Sequence, residues 1–128
     1  MKVLVDTHLL LWASAASERL PNKARDLLED RDTEPCFSVV SIWEIVIKSG
    51  LGRPDFQIDA NRLRDGLLVN GWGELEVRGD HVFAISALPK IHRDPFDRLL
   101  VAQATREQCG LFTADAQLKR YGAVVHLV

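Results

Sequence analysis

Five acidic residues of the 128-residue chain stand where carboxylates are least expected or best placed. Asp6 closes the apolar run Val3-Leu4-Val5, and Glu44 is the only charge between Val39 and Ile47. Asp94 and Asp97 flank Pro95-Phe96, and Asp115 follows Leu111-Phe112-Thr113. Carboxylates brought together repel, and each raises its neighbours' pKa. A fold tolerates such a group when a hard cation neutralises it, and magnesium or manganese suits oxygen ligands. An ion held this way activates water and stabilises charge on a phosphoryl group. Each acid also has a plainer role open to it. Asp6 can end a strand, and Glu44 can close a capping box with Ser41. Asp94 can cap a helix with Pro95 at its first position, which puts Asp97 at the third, where an acid suits the helix dipole. Asp115 can cap the helix that follows it. No single acid decides the matter; their delivery from four separated segments carries the weight.

The elements that must position these acids follow from the apolar pattern. Residues 3–5 predict a strand buried on both faces. Helices follow over 7–16 and 21–30, with Pro21 near the first turn of the second. Residues 36–38 predict a second strand, and Ser41 opens a helix through Lys48 that Ser49-Gly50 closes. A helix over 59–70 ends at Gly71, residues 72–77 read as a strand or an irregular piece, and residues 79–88 are helical in pattern. Asp94-Pro95 starts a long helix to about Cys109, with Gly110 as the residue that ends it. Strands over 111–113 and 124–128 bracket a short helix over 116–121. This alternation predicts one α/β domain over 1–128, with a mainly parallel sheet and helices on both faces. In such folds the working site lies outside the carboxyl ends of the strands, near a topological switch point. The acids fall at those positions.

The segments Val3-Leu4-Val5-Asp6-Thr7-His8, Ser41-Ile42-Trp43-Glu44-Ile45, His92-Arg93-Asp94-Pro95-Phe96-Asp97-Arg98-Leu99-Leu100 and Leu111-Phe112-Thr113-Ala114-Asp115 run in order through nearly the whole chain. Together they resemble the motifs of the PIN domain family, and most of all its VapC toxins from prokaryotic toxin–antitoxin pairs. The resemblance implies a three-layer α/β/α sandwich with a parallel sheet of about five strands. It also implies a magnesium- or manganese-dependent endoribonuclease, a hydrolase leaving a 5′-phosphate and a free 3′-hydroxyl. Matched residue by residue, Asp6, Glu44, Asp97 and Asp115 take the places of the family's four catalytic, metal-holding acids. Thr7 and Thr113 match hydroxyl positions beside the first and last of them, and His8 either flanks the site or packs on its own helix. Asp94 is an extra acid beside the third place. Arg98 follows it and either pairs with a site acid or meets RNA. The implied partners are RNA, a VapB-type antitoxin and a second copy of the chain. An antitoxin arginine would enter the acidic pocket, while its helix covered apolar surface at Leu9, Leu10, Leu11 and Trp12 and around Trp43 and Ile47.

Composition narrows the classes further. The net charge of −2, from 16 basic and 18 acidic residues, excludes a basic footprint over the whole chain but not a local one. With 47% hydrophobic and 27% charged residues, the chain belongs to neither the disordered nor the membrane class. Asp6 interrupts the N-terminal apolar run too early for a signal peptide. Cys36 and Cys109 make no disulfide framework, so a reducing, cytoplasmic setting is expected. His8, His81, His92 and His126 are too scattered for a zinc site, and His92 is expected to be a surface or capping residue. Trp12 and Trp43 are expected in the core or at a dimer surface, though rings of this kind can stack on bases. Two other classes compete. A catalytically silent PIN-like module would bind RNA or protein without cutting. A phospho-receiver domain needs an acidic pair at the first strand and a late strand-end lysine, whereas Asp6 has no acidic neighbour and Lys119 lies in a helical pattern.

Overall fold

The computed structural model describes residues 1–128. Its sheet has five parallel strands, β1 (Lys2–Val5), β2 (Glu34–Ser38), β3 (Gly73–Leu75), β4 (Gly110–Thr113) and β5 (Val125–Leu127), in the order β3-β2-β1-β4-β5. Six α-helices connect them: α1 (Thr7–Ser14), α2 (Asn22–Glu29), α3 (Val39–Ser49), α4 (Ala60–Val69), α5 (Gly79–Ala84) and α6 (Pro95–Glu107). Two 3₁₀ segments, Ile85–Ala87 and Ala116–Tyr121, complete the order. Strand order reverses beside β1, which pairs with β2 on one side and β4 on the other. That crevice is where a parallel sheet holds its ligands.

The apolar run at the start of the chain is central because both its faces are covered. Val3 and Val5 point into a cluster with Leu9 and Leu10 of α1, Ala24 of α2, Leu67 of α4, and Phe37 and Phe112. Leu4 points the other way, into a cluster with Leu99, Leu100, Val101 and Ala104 of α6 and Leu118. These two clusters on opposite faces make the three layers. Leu9 and Leu10 are fully buried, so they belong to the core and are not open to a partner; only Leu11 and Trp12 of that group keep exposed surface. Residues 72–77 supply a strand of only three residues at the sheet edge, where Glu74 pairs with Arg64. A short, charged edge strand resists pairing with another chain.

Two local expectations are overturned. The helix carrying Glu44 starts at Val39, not after Ser41, because Ser38 is its cap: the Val40 N–H donates to Ser38 Oγ at 3.0 Å. Ser38 Oγ in turn donates to Gln103 Oε1 on α6 at 2.6 Å, so one buried hydroxyl ties the β2–α3 junction to α6. Glu44 is therefore the sixth residue of the helix, and no capping box forms between it and Ser41. The long helix ends on Gln108, which takes the left-handed conformation (φ 54°), and not on Gly110. Gly110 is a strand residue paired with Val3, and its lack of a side chain serves packing: a Cβ there would lie 2.9 Å from the His126 ring.

Candidate active site

Asp6 ends β1 and caps α1, with Oδ1 accepting from the Leu9 N–H at 2.9 Å. Its Oδ2 accepts a short hydrogen bond from Thr113 Oγ1 at the end of β4. The same threonine hydroxyl accepts from the Asp115 N–H at 3.0 Å, so Thr113 fixes the first and last acids relative to each other. Burial pushes the Asp6 carboxyl up, while the Thr113 and Leu9 hydrogen bonds oppose that shift. Thr7 turns away from the acids and donates to Ser41 Oγ at 2.9 Å, stitching α1 to α3.

Glu44 comes from α3 and is buried. Its Oε2 accepts from Lys48 one turn on at 2.5 Å, while its Oε1 is buried with no hydrogen-bond partner. Asp97 comes from the first turn of α6. Burial and the charges of Asp94, Asp6 and Glu44 push its carboxyl up to about 7. The neighbouring Asp94 takes the plainer role, its Oδ1 accepting from the Phe96 and Asp97 N–H groups at 2.8 and 3.3 Å. Capping leaves Asp94 at the helix start and turns Asp97 toward the other acids. Asp115 does both things: Oδ1 caps the 3₁₀ segment through the Gln117 N–H, and Oδ2 faces His92.

His92 is more than the surface or capping residue the sequence suggests. Its Nδ1 accepts from the Asp94 N–H at 3.0 Å, so the neutral ring carries its proton on Nε2. Nε2 lies 3.2 Å from Asp115 Oδ2 and 3.6 Å from Asp97 Oδ2. One potential ligand atom each from His92, Asp97 and Asp115 falls within 4.8 Å of the others. With its proton on Nε2, His92 donates to Asp115, faces Asp97, and leaves a cation to the two carboxylates. The signal for His92 lay in its place two residues before the Asp94 cap, but whether a loop ring turns inward is not written in spacing. Lys48 was also missed, although its i,i+4 spacing from Glu44 on a helix is an ordinary ion-pair signal. Arg98 pairs with no acid; it donates to the Ile85 carbonyl at 3.3 Å.

The arrangement fits a hard dication. Asp97 and Asp115 come within ligand range of each other, and Asp6 and Glu44 lie close enough for their charges to act on Asp97. One buried carboxylate oxygen has no partner, and burial together with those charges raises the Asp97 carboxyl to about 7. The PIN domain family model matches residues 3–124. The chain belongs to the PIN domain family. Several solved structures share this PIN fold at low identity. VapBC2 from Rickettsia felis, bound to a DNA fragment from its promoter, aligns with a TM-score of 0.73 at 15% identity, over 99% of this chain and 98% of that one. A toxin–antitoxin complex from Klebsiella pneumoniae gives 0.67 at 16%, over 97% and 95%. VapBC-5 from Mycobacterium tuberculosis, a member of the VapBC family of toxin–antitoxin systems, gives 0.63 at 16%, over 99% and 97%. No curated protein matches the chain by sequence.

Proposed function

We propose that this PIN domain is a metal-dependent endoribonuclease toxin, neutralised by a cognate VapB-type antitoxin in the cytoplasm. PIN domains are in general nucleases, and the observation that carries the reading for this chain is its unspent negative charge. The buried Glu44 Oε1 has no partner, and Asp97 is crowded by Asp94, Asp6 and Glu44. Asp6, Asp97 and Asp115 would hold the ion, with Glu44 contributing from α3. Magnesium or manganese, when bound there, supplies the positive charge that activates water and offsets charge on the phosphoryl oxygens.

The chain's own groups set the geometry around that ion. Thr113 holds Asp6 and Asp115 in a fixed relation through one hydroxyl. His92, locked by the Asp94 N–H on one nitrogen, presents the other to Asp115 and Asp97. Lys48 offsets half of Glu44 without filling its second oxygen. Without the ion, burial and neighbouring charges raise the Asp97 carboxyl to about 7, and a bound dication would favour its carboxylate form.

The structural neighbours named above are toxin–antitoxin complexes, which supports an antitoxin partner for this chain. The open acidic pocket suits an inserted arginine, since guanidinium forms two-pronged bonds to carboxylates. A homodimer is supported by the exposed apolar side chains of Trp43, Val46, Ile47 and Leu51 along and just after α3. The deciding experiment is product analysis on end-labelled single-stranded RNA with magnesium, manganese or chelator. Cleavage with either metal, none with chelator, and 5′-phosphate ends are expected. Binding of intact RNA without cleavage under every metal condition would instead establish a silent binding module.

A further inference from the structure

One cleft beside the acids is not accounted for by holding a cation. Its volume is about 340 Å³, and it is lined by Asp6, His8, Trp12, Ala114 and Asp115. His8 and Trp12 are four residues apart on α1 and so share a face. Their ring centroids are 6.1 Å apart with planes tilted by 45°. His8 is exposed, and no core contact requires a ring at that position. Trp12 packs one part of its indole on the core cluster of α1, α2 and α4 and keeps the rest at the cleft. It is a ring with a rigid backing. Ala114, exposed on the far side of the cleft, is the small side chain that leaves the space open.

We infer that His8 and Trp12 form a stacking surface for one unpaired nucleobase of an RNA whose neighbouring phosphate sits at the acids. This rests on the nuclease reading of the same site and adds to it how the strand is placed. The cleft shares Asp6 and Asp115 with the acidic pocket, so a strand whose phosphate lies at those carboxylates has an adjoining base beside the two rings. A net charge of −2 gives no basic footprint over the whole chain, so phosphate charge alone is a limited source of affinity and a contact with the bases adds to it. Base–aromatic stacking does this and tolerates every base, because each has a π-face. The rings therefore place the strand and contribute little to choosing among bases.

The test uses a single-stranded RNA that the full-length protein cleaves, with an abasic residue placed in turn on each side of the cut. Trp12→Ala, Trp12→Phe and His8→Ala are compared with the unaltered chain. Removing the Trp12 ring should raise KM about tenfold, with a smaller change in kcat, and Trp12→Phe should restore most of the loss. The unaltered chain should discriminate against the abasic site on one side of the cut, and Trp12→Ala should lose that discrimination. His8→Ala, at an exposed position, should shift KM the same way if Trp12→Ala fails to fold. A second arm needs no chemistry. With Trp43→Phe, Trp72→Phe and Asp97→Asn, Trp12 becomes the only tryptophan, and its fluorescence should be quenched by the intact RNA and not by the abasic one. Quenching without cleavage by the unaltered chain would uphold the stacking surface while removing the nuclease reading. Unchanged KM in both ring variants, or no quenching by intact RNA, would overturn the stacking surface whatever the cleavage result.

Discussion

Burial, and then the charges of Asp94, Asp6 and Glu44, raise the Asp97 carboxyl. Its folded-state pKa of about 7 lies above the ordinary value of 3.8, so the folded chain binds this proton more tightly than the unfolded one. Stability without metal should therefore be greatest below about pH 4 for this group and fall as pH rises toward 7. Thermal melts in chelator across that window should show the fall, and Asp97→Asn should reduce it, leaving the part that the raised Asp6 carboxyl contributes. The same variant should be neutral or stabilising at pH 8 in chelator, yet, like Asp6→Asn, lose RNA cleavage by two orders of magnitude or more, as expected for about 3 kcal/mol or more of lost transition-state stabilisation. Wild-type rates in both purified variants with magnesium present would remove these acids from the reaction. Asp94→Ala should behave differently, costing about 0.5–2 kcal/mol through loss of the α6 cap and retaining part of the activity at saturating magnesium. The Asp94 cap was legible in the sequence, because proline at the first helical position marks the residue before it as the cap, whereas which of Asp94 and Asp97 lies closer to an ion was not. The place of Glu44 in its helix was not, since Ser38 and Ser41 are equally able to cap and only the packing of β2 decides between them.

At the scale of elements, the strands were easier to read than the helix ends. Three consecutive apolar residues with both faces covered leave little choice for β1. Helix ends depend on contacts from elsewhere, as Gly110 shows. A glycine after a helix suggests a left-handed stop, but this one is needed where β4 meets the His126 ring of β5, and the stop moves to Gln108. Gly110→Ala should therefore destabilise by about 1–3 kcal/mol, as overpacking does, and urea unfolding will measure it. His126→Ala, which removes the obstructing ring, should recover part of that loss in the double variant. Ser38→Ala should cost about 1–2 kcal/mol, since it removes a cap and leaves Gln103 Oε1 in the core without that donor. Because α3 also carries Glu44, cleavage by Ser38→Ala should fall even where the protein remains folded.

For the whole molecule, the sequence conveyed the layer order but not which apolar residues would remain outside. Leu9 and Leu10 look like surplus in a short helix and prove to be core, whereas Trp43 is 56% exposed beside a fully buried Ile45. A helical pattern gives the angle between residues, and the fold decides which angle faces in. The exposed row on α3 is the surface on which the proposed self-association would lie. Val46→Asp should raise the dimer dissociation constant at least about tenfold, read by sedimentation, without lowering the melting temperature of the monomer. An unchanged sedimentation profile would place the homodimer contact elsewhere. The Trp43 ring also makes a T-shaped contact with Phe96 at the start of α6, with centroids 5.0 Å apart. Binding on α3 thus bears on the helix that presents Asp97.

The hydroxyl of Thr113 reaches Asp6 across 107 residues of sequence. The chain is made from its amino end, so Asp6 emerges early and waits for β4, the strand that must slot in beside β1. Until then β1 has an open edge and the first carboxylate has no threonine to fix it. On the proposed ribonuclease reading, the chain is synthesised in contact with its class of substrate, on a machine built of RNA. The topology delays completion of the site until β4 has been made, well after Asp6, which on the ribonuclease reading keeps the nascent chain inactive until then. A fragment ending at Cys109 should accordingly leave RNA intact and should aggregate through its unpaired strand.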